Sequence, residues 1–284
     1  MPVPSAGRAE SRPSARAAGL SRSVNRLALW AATLAAAVAY ALAYARHPHR
    51  PGAPAPDQGW WNAYDQIRYL KAVTAWASGD LDPARHWYLP GYPLLGTPFV
   101  GLTPSNPFLL PDLACLSASL WLTASLAVRL VPGWPRAPVL GAAAFLGVVV
   151  LSPTALDAWV VPWTSSLAAP PTLACLAAAV ALSRRLDGAR GAGPDSPGSG
   201  APAFAAGLCG AAVALARPTD AAVLLAAVGL VLLAQAALTR PGRRPVAVAA
   251  LAGSAGVACG ALLALVPYVA VHGWAWSEYL TGAV

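Results

Sequence analysis

The sequence predicts an all-α protein: a polytopic membrane bundle of about seven transmembrane helices, with an amphipathic helix in the first outer loop. Hydrophobic residues make up 57% of the 284 residues and charged residues only 11%, whereas an average soluble chain is about 25% charged. The apolar residues fall into runs of about the length that crosses a bilayer. This composition also excludes a disordered chain, which would be poor in apolar residues and rich in charge.

The N-terminal region predicts a tail followed by a membrane span. Residues 1–26 are rich in Arg, Ser, Ala and Pro without apolar periodicity, which is typical of a disordered cytoplasmic tail. The apolar run 27–45 then predicts the first transmembrane helix. A cleaved signal peptide is the alternative, because small residues end the run. The run exceeds the usual signal core of about 7–15 residues, so we expect a retained span.

Six further spans are predicted after a long polar outer loop at 46–107. They cover residues 108–131, 137–151, 167–183, 201–216, 219–238 and 246–271. The third is short for a crossing, and we expect it to extend into 152–154. The transmembrane unit is therefore predicted at 27–271, with an outer C-terminal tail at 272–284.

Small residues and prolines predict how these spans pack. Several spans are rich in Ala and Gly, which favours close helix packing in lipid. Pro170 and Pro171 are expected to kink the fourth span or delay its start.

The basic residues predict the orientation of the chain. With the N-terminus inside, inner segments hold thirteen basic residues against three acids, and outer segments hold six against eight. The formal net charge of +8 thus divides into +10 inside and −2 outside. Basic residues favour the cytoplasmic side. We therefore expect an integral protein of the bacterial plasma membrane, with its N-terminus cytoplasmic, its C-terminus outside, the lipid bilayer as a partner and no nucleic acid.

A predicted helix at 62–78 in the first outer loop carries the most specific carboxylate. Asn62 is expected to cap its start and Gly79 to end it. Asp65 lies in the first turn, where the helix dipole favours a negative charge, and it shares a face with Tyr69. Two interpretations stay open: a local ion pair between Asp65 and Arg68, and a general base facing an outer cavity.

The next segment, 86–95, is dense in aromatic residues and prolines and includes His86 and Tyr88. We predict a stiff extended turn that enters the second span. Its aromatic faces and polar tips suit a sugar ligand, while an aromatic belt at the membrane interface is the alternative.

Two further charged residues fall in predicted outer turns. Arg217 lies between the fifth and sixth spans, against the inside bias of basic residues, and its guanidinium suits phosphate oxygens. A snorkelling side chain or an ion pair with Asp220 is the alternative. Asp157, between the third and fourth spans, is either a second site carboxylate or a solvated loop residue.

Other site signatures are missing from the sequence. We find no Walker loop, no Rossmann fingerprint, no zinc-protease or nucleophile-elbow motif and no Cys/His metal spacing. The four cysteines each lie in an apolar stretch, which favours small buried apolar residues over ligands. No metal ligand is assigned on this basis.

This arrangement resembles the GT-C superfamily of integral-membrane glycosyltransferases, and within it the branch of protein O-mannosyltransferases and aminoarabinose transferases. The segment 65–70 is similar to the family's Asp–x–x–x–Tyr helix, and 88–95 to its Tyr-Pro-Pro-Leu-like approach to the second span. Residues 214–219 resemble the segment where relatives carry Lys or Arg followed by Gly or Pro.

The resemblance implies an inverting transfer of a sugar from a polyprenyl-phosphate-linked donor to an acceptor hydroxyl on the outer face. Asp65 would be the general base and Arg217 the group that steadies the departing phosphate. Asp157 matches an outer loop where relatives place another acid, some of them with a divalent metal. We also expect Tyr69, Arg68, His86 and Tyr88 to contact substrate.

The chain departs from the family in two ways. It ends at Val284, where relatives continue with further spans or an outer domain, and its second outer loop has one acid rather than a pair. A truncated enzyme is one interpretation. The alternative is a non-catalytic GT-C-like membrane protein that acts as an assembly or lipid-binding partner, with a second subunit. A small-solute transporter is disfavoured, because mid-span charges and paired broken helices are missing.

Overall fold

The structure is a computed structural model that describes residues 15–51, 59–62, 64–188, 198–239 and 243–273. These residues are all-helical, and no strand occurs among them. The α-helices in chain order are α1 (Ala15–Arg46), α2 (Tyr64–Ser78), α3 (Gly91–Gly96), α4 (Leu109–Leu130), α5 (Ala137–Leu151), α6 (Pro153–Val160), α7 (Thr164–Gly188), α8 (Gly200–Ala212), α9 (Pro218–Thr239) and α10 (Arg243–His272).

Five helices of the described part are long and apolar enough to cross a membrane: α1 over Ser23–Arg46, α4, α7, α9, and α10 over Arg244–His272. The pair α5 and α6 meets the same criterion only when taken together, which raises the count to six. These helices indicate an integral membrane protein and confirm the all-α class. The predicted count of seven spans is not confirmed.

The third predicted span does not continue into 152–154. α5 ends at Leu151, and α6 leaves it at an angle of 91°. Between them, Ser152 adopts extended backbone and its hydroxyl accepts the Ala155 N–H at 3.3 Å, which caps α6. Pro153 fits the first position of a new helix but lacks the N–H that would continue α5. The Ser-Pro step therefore bends the chain.

The fifth predicted span is too short to cross by itself. α8 and the 3-10 turn that follows it cover Gly200–Leu215, which corresponds to about 24 Å of helix against roughly 30 Å of hydrocarbon. α8 instead packs along α10. A Cβ atom on Gly207 would overlap the Gly253 carbonyl oxygen, and one on Gly256 would overlap that of Phe204. The two backbones therefore touch, as the small residues predict.

The helices α1 and α7 begin earlier than the sequence predicts. α1 starts at Ala15, so the predicted disordered tail does not include 15–26, where Ala and Arg favour a helix. Residues 1–14 of that tail lie outside the described residues. α7 starts at Thr164 and runs through Pro170 and Pro171, so the pair does not delay it. These prolines are the seventh and eighth residues of α7, so the helix continues without the two backbone hydrogen bonds that their missing N–H groups would donate.

The described residues 59–62 and 64–107 of the predicted first outer loop form a compact unit over the ends of α4 and α7. α2 ends at Gly79, which has a left-handed φ of 71° as the prediction requires. Asn62 ends a 3-10 turn just before α2. Residue 63 is not among the described residues, and the capping of α2 by Asn62 stays a prediction. The 86–95 segment is not extended throughout, because its second half forms α3. Tyr69, Val73, Tyr92 and Phe108 form the buried core of this unit.

α3 also contacts the turn between α8 and α9. A Cβ atom on Gly91 would overlap the carbonyl oxygen of Leu215, the last residue of the 3-10 turn after α8. Only glycine permits this approach. The contact brings the aromatic segment of the first outer loop beside the turn that carries Arg217.

Candidate outer site

Asp65 and Tyr88 meet across the first outer loop. The Tyr88 hydroxyl donates a short hydrogen bond to Asp65 Oδ1. Asp65 is held by the first turn of α2, and Tyr88 lies just before α3, so the bond ties the two helices together. A carboxylate has about four lone-pair sites, so Asp65 can accept further hydrogen bonds while it holds Tyr88.

Tyr69 links this pair to Arg217. Its ring contacts the rings of Tyr88 and Tyr92, with centroids 5.1 and 5.2 Å apart. Burial and, to a smaller extent, the negative charge of Asp65 raise the pKa of Tyr69 to about 12, while the Thr164 hydroxyl and the positive charge of Arg217 oppose the rise. Because Gly91 also touches Leu215, this group lies beside the turn with Arg217, and we call Asp65, Tyr69, Tyr88 and Arg217 the outer cluster.

Arg217 points its charge toward solvent and toward a neighbouring acid. Its Nε lies 3.1 Å from Asp220 Oδ2, three residues along the chain, and both side chains are about half exposed. This is the local ion pair that the sequence left open as an alternative. An exposed pair of this kind contributes little stability, about 0–1 kcal/mol. The guanidinium can therefore exchange Asp220 for another anion at low cost.

Arg68 lies one turn from Asp65 and stacks on an aromatic ring. Its guanidinium carbon sits 3.8 Å from the centroid of the Trp87 ring, a cation–π contact. Trp87 is exposed, and its indole N–H donates to the Ala84 carbonyl oxygen at 2.8 Å. The stack therefore forms a flat, partly exposed rim beside the outer cluster.

His86 is buried within the first outer loop. Its side chain is 3% exposed, its Nε2 donates to the Asp80 carbonyl oxygen at 2.8 Å, and its ring makes an edge contact with Trp76. Among the described residues its Nδ1 has no hydrogen-bond partner, which fits the neutral tautomer with the proton on Nε2. This geometry favours a role in closing the loop after α2.

Asp157 lies on α6, exposed to solvent. Its negative charge acts on His47, just beyond α1: burial lowers the pKa of His47, and Asp157 partly opposes that effect. Its predicted role beside Asp65 stays a prediction. The structure thus brings Asp65, Tyr69 and Tyr88 together, places the turn with Arg217 beside them, sets Arg68 at their rim and buries His86 within the loop.

Asp112 is a buried acid whose pairing the sequence does not reveal. It lies in the first turn of α4 and is 1% exposed. The Tyr92 hydroxyl donates to its Oδ2 at 2.9 Å, and Ser166 Oγ lies 2.7 Å from its Oδ1. An acid inside a predicted span is the signal that could have singled it out, and it shares this signal with Asp220 of the predicted span 219–238.

No metal centre is formed by the described residues, since they contain no group of three or more His, Cys, Asp or Glu side chains that could hold an ion. Comparison of the chain with models of protein families, with curated proteins and with solved structures finds no match.

The raised pKa of Tyr69 predicts a pH-dependent contribution to stability. Its folded-state pKa of about 12 exceeds the ordinary value of about 10. The hydroxyl therefore contributes fully below pH 10, and this contribution is lost as the pH rises through about 12. We expect the gap in unfolding free energy between wild type and Tyr69→Phe to shrink over this window in reversible unfolding in detergent. A constant gap would contradict the burial of this hydroxyl.

Proposed function

We propose that this chain is a membrane glycosyltransferase, similar to the GT-C superfamily, that transfers a sugar from a polyprenyl-phosphate donor to an acceptor hydroxyl at the outer face. In this reaction Asp65 takes the proton of the acceptor hydroxyl while the oxygen of that hydroxyl attacks the anomeric carbon of the donor sugar. The bond from that carbon to the phosphate oxygen breaks, the configuration inverts, and the lipid phosphate leaves with the negative charge next to Arg217.

The proposal is supported above all by one contact: Gly91 of α3 touches Leu215, which places the segment whose Tyr88 binds Asp65 beside the turn that carries Arg217. The reaction needs a carboxylate near the attacking oxygen and a positive charge near the leaving phosphate. In the proposed reaction Asp65 supplies the carboxylate and Arg217 the positive charge. The ring of Tyr88 and the rim formed by Arg68 and Trp87 suit a sugar, while the buried Tyr69 ring supports Tyr88 from behind.

Transfer of a labelled sugar tests this proposal. Membranes that contain the full chain are incubated with radiolabelled polyprenyl-phosphate sugars, so that they supply their own acceptors. We expect label to move from the lipid to a non-lipid product, with an equal release of polyprenyl phosphate, faster than in membranes without the chain. Equal rates with and without the chain, across hexose and pentose donors, would contradict the proposal.

Substitution of Arg217 is expected to weaken stabilisation of the departing lipid phosphate. Arg217→Ala removes the charge offered to the lipid phosphate, and we expect a loss of about 10²-fold in kcat/KM, as for other groups that stabilise developing charge. Arg217→Lys keeps the charge without the planar fork and is expected to recover part of the loss. Rates are measured against donor concentration at equal amounts of folded protein. A wild-type rate in Arg217→Ala would exclude Arg217 from the site.

A second function, lipid binding without catalysis, is favoured by another observation. An apolar groove of about 460 Å³ lies among α7, α8, α9 and α10, lined by residues such as Leu182, Leu225, Leu232 and Val257. Its lining suits a hydrocarbon chain. Under this alternative the chain is an assembly or lipid-binding partner. Co-purification with a second subunit, together with no sugar transfer by the chain alone, would favour it over the enzyme.

A further inference from the structure

The hydrogen bonds around Asp112 define its protonation state. Ser166 Oγ lies 2.7 Å from Asp112 Oδ1 and 2.6 Å from the Trp163 carbonyl oxygen. Both distances are those of O–H···O hydrogen bonds. A serine hydroxyl carries one hydrogen, and a carbonyl oxygen has none to give. If Asp112 were a carboxylate, two acceptors would compete for the single Ser166 hydrogen, and one short contact would be left without a proton.

A proton on Asp112 Oδ1 removes this conflict. Asp112 then donates to Ser166 Oγ, Ser166 donates to the Trp163 carbonyl oxygen, and Asp112 Oδ2 accepts from the Tyr92 hydroxyl at 2.9 Å. Burial raises the pKa of Tyr92 well above its ordinary value, so this hydroxyl keeps the hydrogen that it donates. Every polar atom of the network is then satisfied.

The surroundings of Asp112 offer no charge to stabilise a carboxylate. The titratable groups near it are Tyr40 of α1, Tyr92 of α3 and Cys115 of α4, none of them cationic. Within the described part of the chain no basic side chain lies within ion-pair distance of Asp112. An ionised carboxylate buried without a partner is costly, whereas a neutral acid that makes all its hydrogen bonds is not.

From this geometry we infer that Asp112 is a neutral carboxylic acid whose hydrogen bonds to Ser166 and Tyr92 fasten the first outer loop to α4 and α7. Tyr92 stacks on Phe108 with centroids 4.3 Å apart and meets the ring of Tyr69 edge-on. Asp112 therefore positions Tyr69, and through it the outer cluster, without touching a substrate. It is a positioning residue, and its protonation state can be measured whether or not the chain transfers sugar.

Infrared spectroscopy of the full chain in lipid nanodiscs tests the protonation state directly. The spectrum of wild type minus that of Asp112→Asn is recorded at neutral pH. We expect it to contain the carbonyl stretching band of a protonated carboxylic acid. A difference spectrum that instead contains carboxylate stretching bands would overturn the inference. Asp187→Asn, which removes an exposed acid of α7, is the matched control and is expected to remove only carboxylate bands.

Substitutions test the positioning role separately. Asn can accept from Tyr92 and donate to Ser166, so Asp112→Asn is expected to keep the hydrogen-exchange rates of α2 and α3 near wild type. Asp112→Ala and Ser166→Ala leave buried partners unsatisfied and are expected to speed exchange there about tenfold or more, which corresponds to about 1.4 kcal/mol. Ser165→Ala is the control with no expected change. Equal effects of Asn and Ala at position 112, or no effect of Ala, would overturn the role.

Discussion

Asp65→Asn is expected to lower the rate of sugar transfer by about 10²–10⁴-fold, the usual contribution of a general base. Asparagine has nearly the same shape and its amide oxygen can still accept the Tyr88 hydrogen bond, so the outer loop keeps its fold. The amide cannot take the proton of an acceptor hydroxyl. The measurement is the initial rate of label transfer from a polyprenyl-phosphate sugar in membranes, at equal amounts of folded chain.

Asp187→Asn is the control for this experiment. It makes the same chemical change at an exposed residue near the end of α7, away from the outer cluster, and is expected to transfer at the wild-type rate. A wild-type rate in Asp65→Asn would remove Asp65 from the catalytic role. In that case another residue would have to act as the general base, and the description of the fold would be unaffected.

Gly256→Leu is expected to prevent stable folding. A Cβ atom at Gly256 would overlap the Phe204 carbonyl oxygen and lie 2.8 Å from the Leu208 nitrogen, both backbone atoms of α8. Backbone cannot rotate away as a side chain can, so α8 and α10 must separate along their contact. Overpacking of a well-packed site costs about 1–3 kcal/mol and sometimes more, and we expect this case to exceed that range.

Gly229→Leu is the matched control, because a Cβ atom at Gly229 of α9 meets nothing within 4 Å. Replacing this half-buried helical glycine is expected to be neutral or slightly stabilising. The readout is the amount of monodisperse protein after extraction in mild detergent and its thermal unfolding midpoint. Equal behaviour of the Gly256 and Gly229 variants would contradict the close packing of α8 on α10.

Composition and helix-ending residues such as glycine predict much of the fold. The apolar runs correctly predict an all-helical membrane protein, and Gly79 correctly marks the end of α2 because its φ of 71° suits glycine. The same evidence fails where tertiary contacts or single dihedrals decide. Ser152 adopts extended backbone, and the chain turns through 91° between α5 and α6. A hydropathy pattern shows which residues are apolar but not where the chain changes direction.

The sequence predicts individual residues of the candidate site but not the contacts between them. The sequence singles out Asp65 and Arg217, but their placement on neighbouring segments depends on Gly91 touching Leu215, a long-range contact. The burial of His86 and the pairing of Asp112 with Ser166 are also long-range or loop-dependent. Contacts between segments far apart in the chain cannot be derived from hydrophobic periodicity, because periodicity relates only residues within one helix.

Photo-labelling with a lipid-linked sugar tests the central claim most directly. The purified full chain is irradiated with a polyprenyl-phosphate sugar that carries a photoreactive group beside the phosphate, and labelled peptides are mapped by mass spectrometry. We predict label in α2 or in the turn with Arg217 and Asp220, displaced by unlabelled donor and reduced in Arg217→Ala. Label confined to the groove among α7, α8, α9 and α10, or not displaced by the donor, would contradict a sugar-transfer site at the outer cluster.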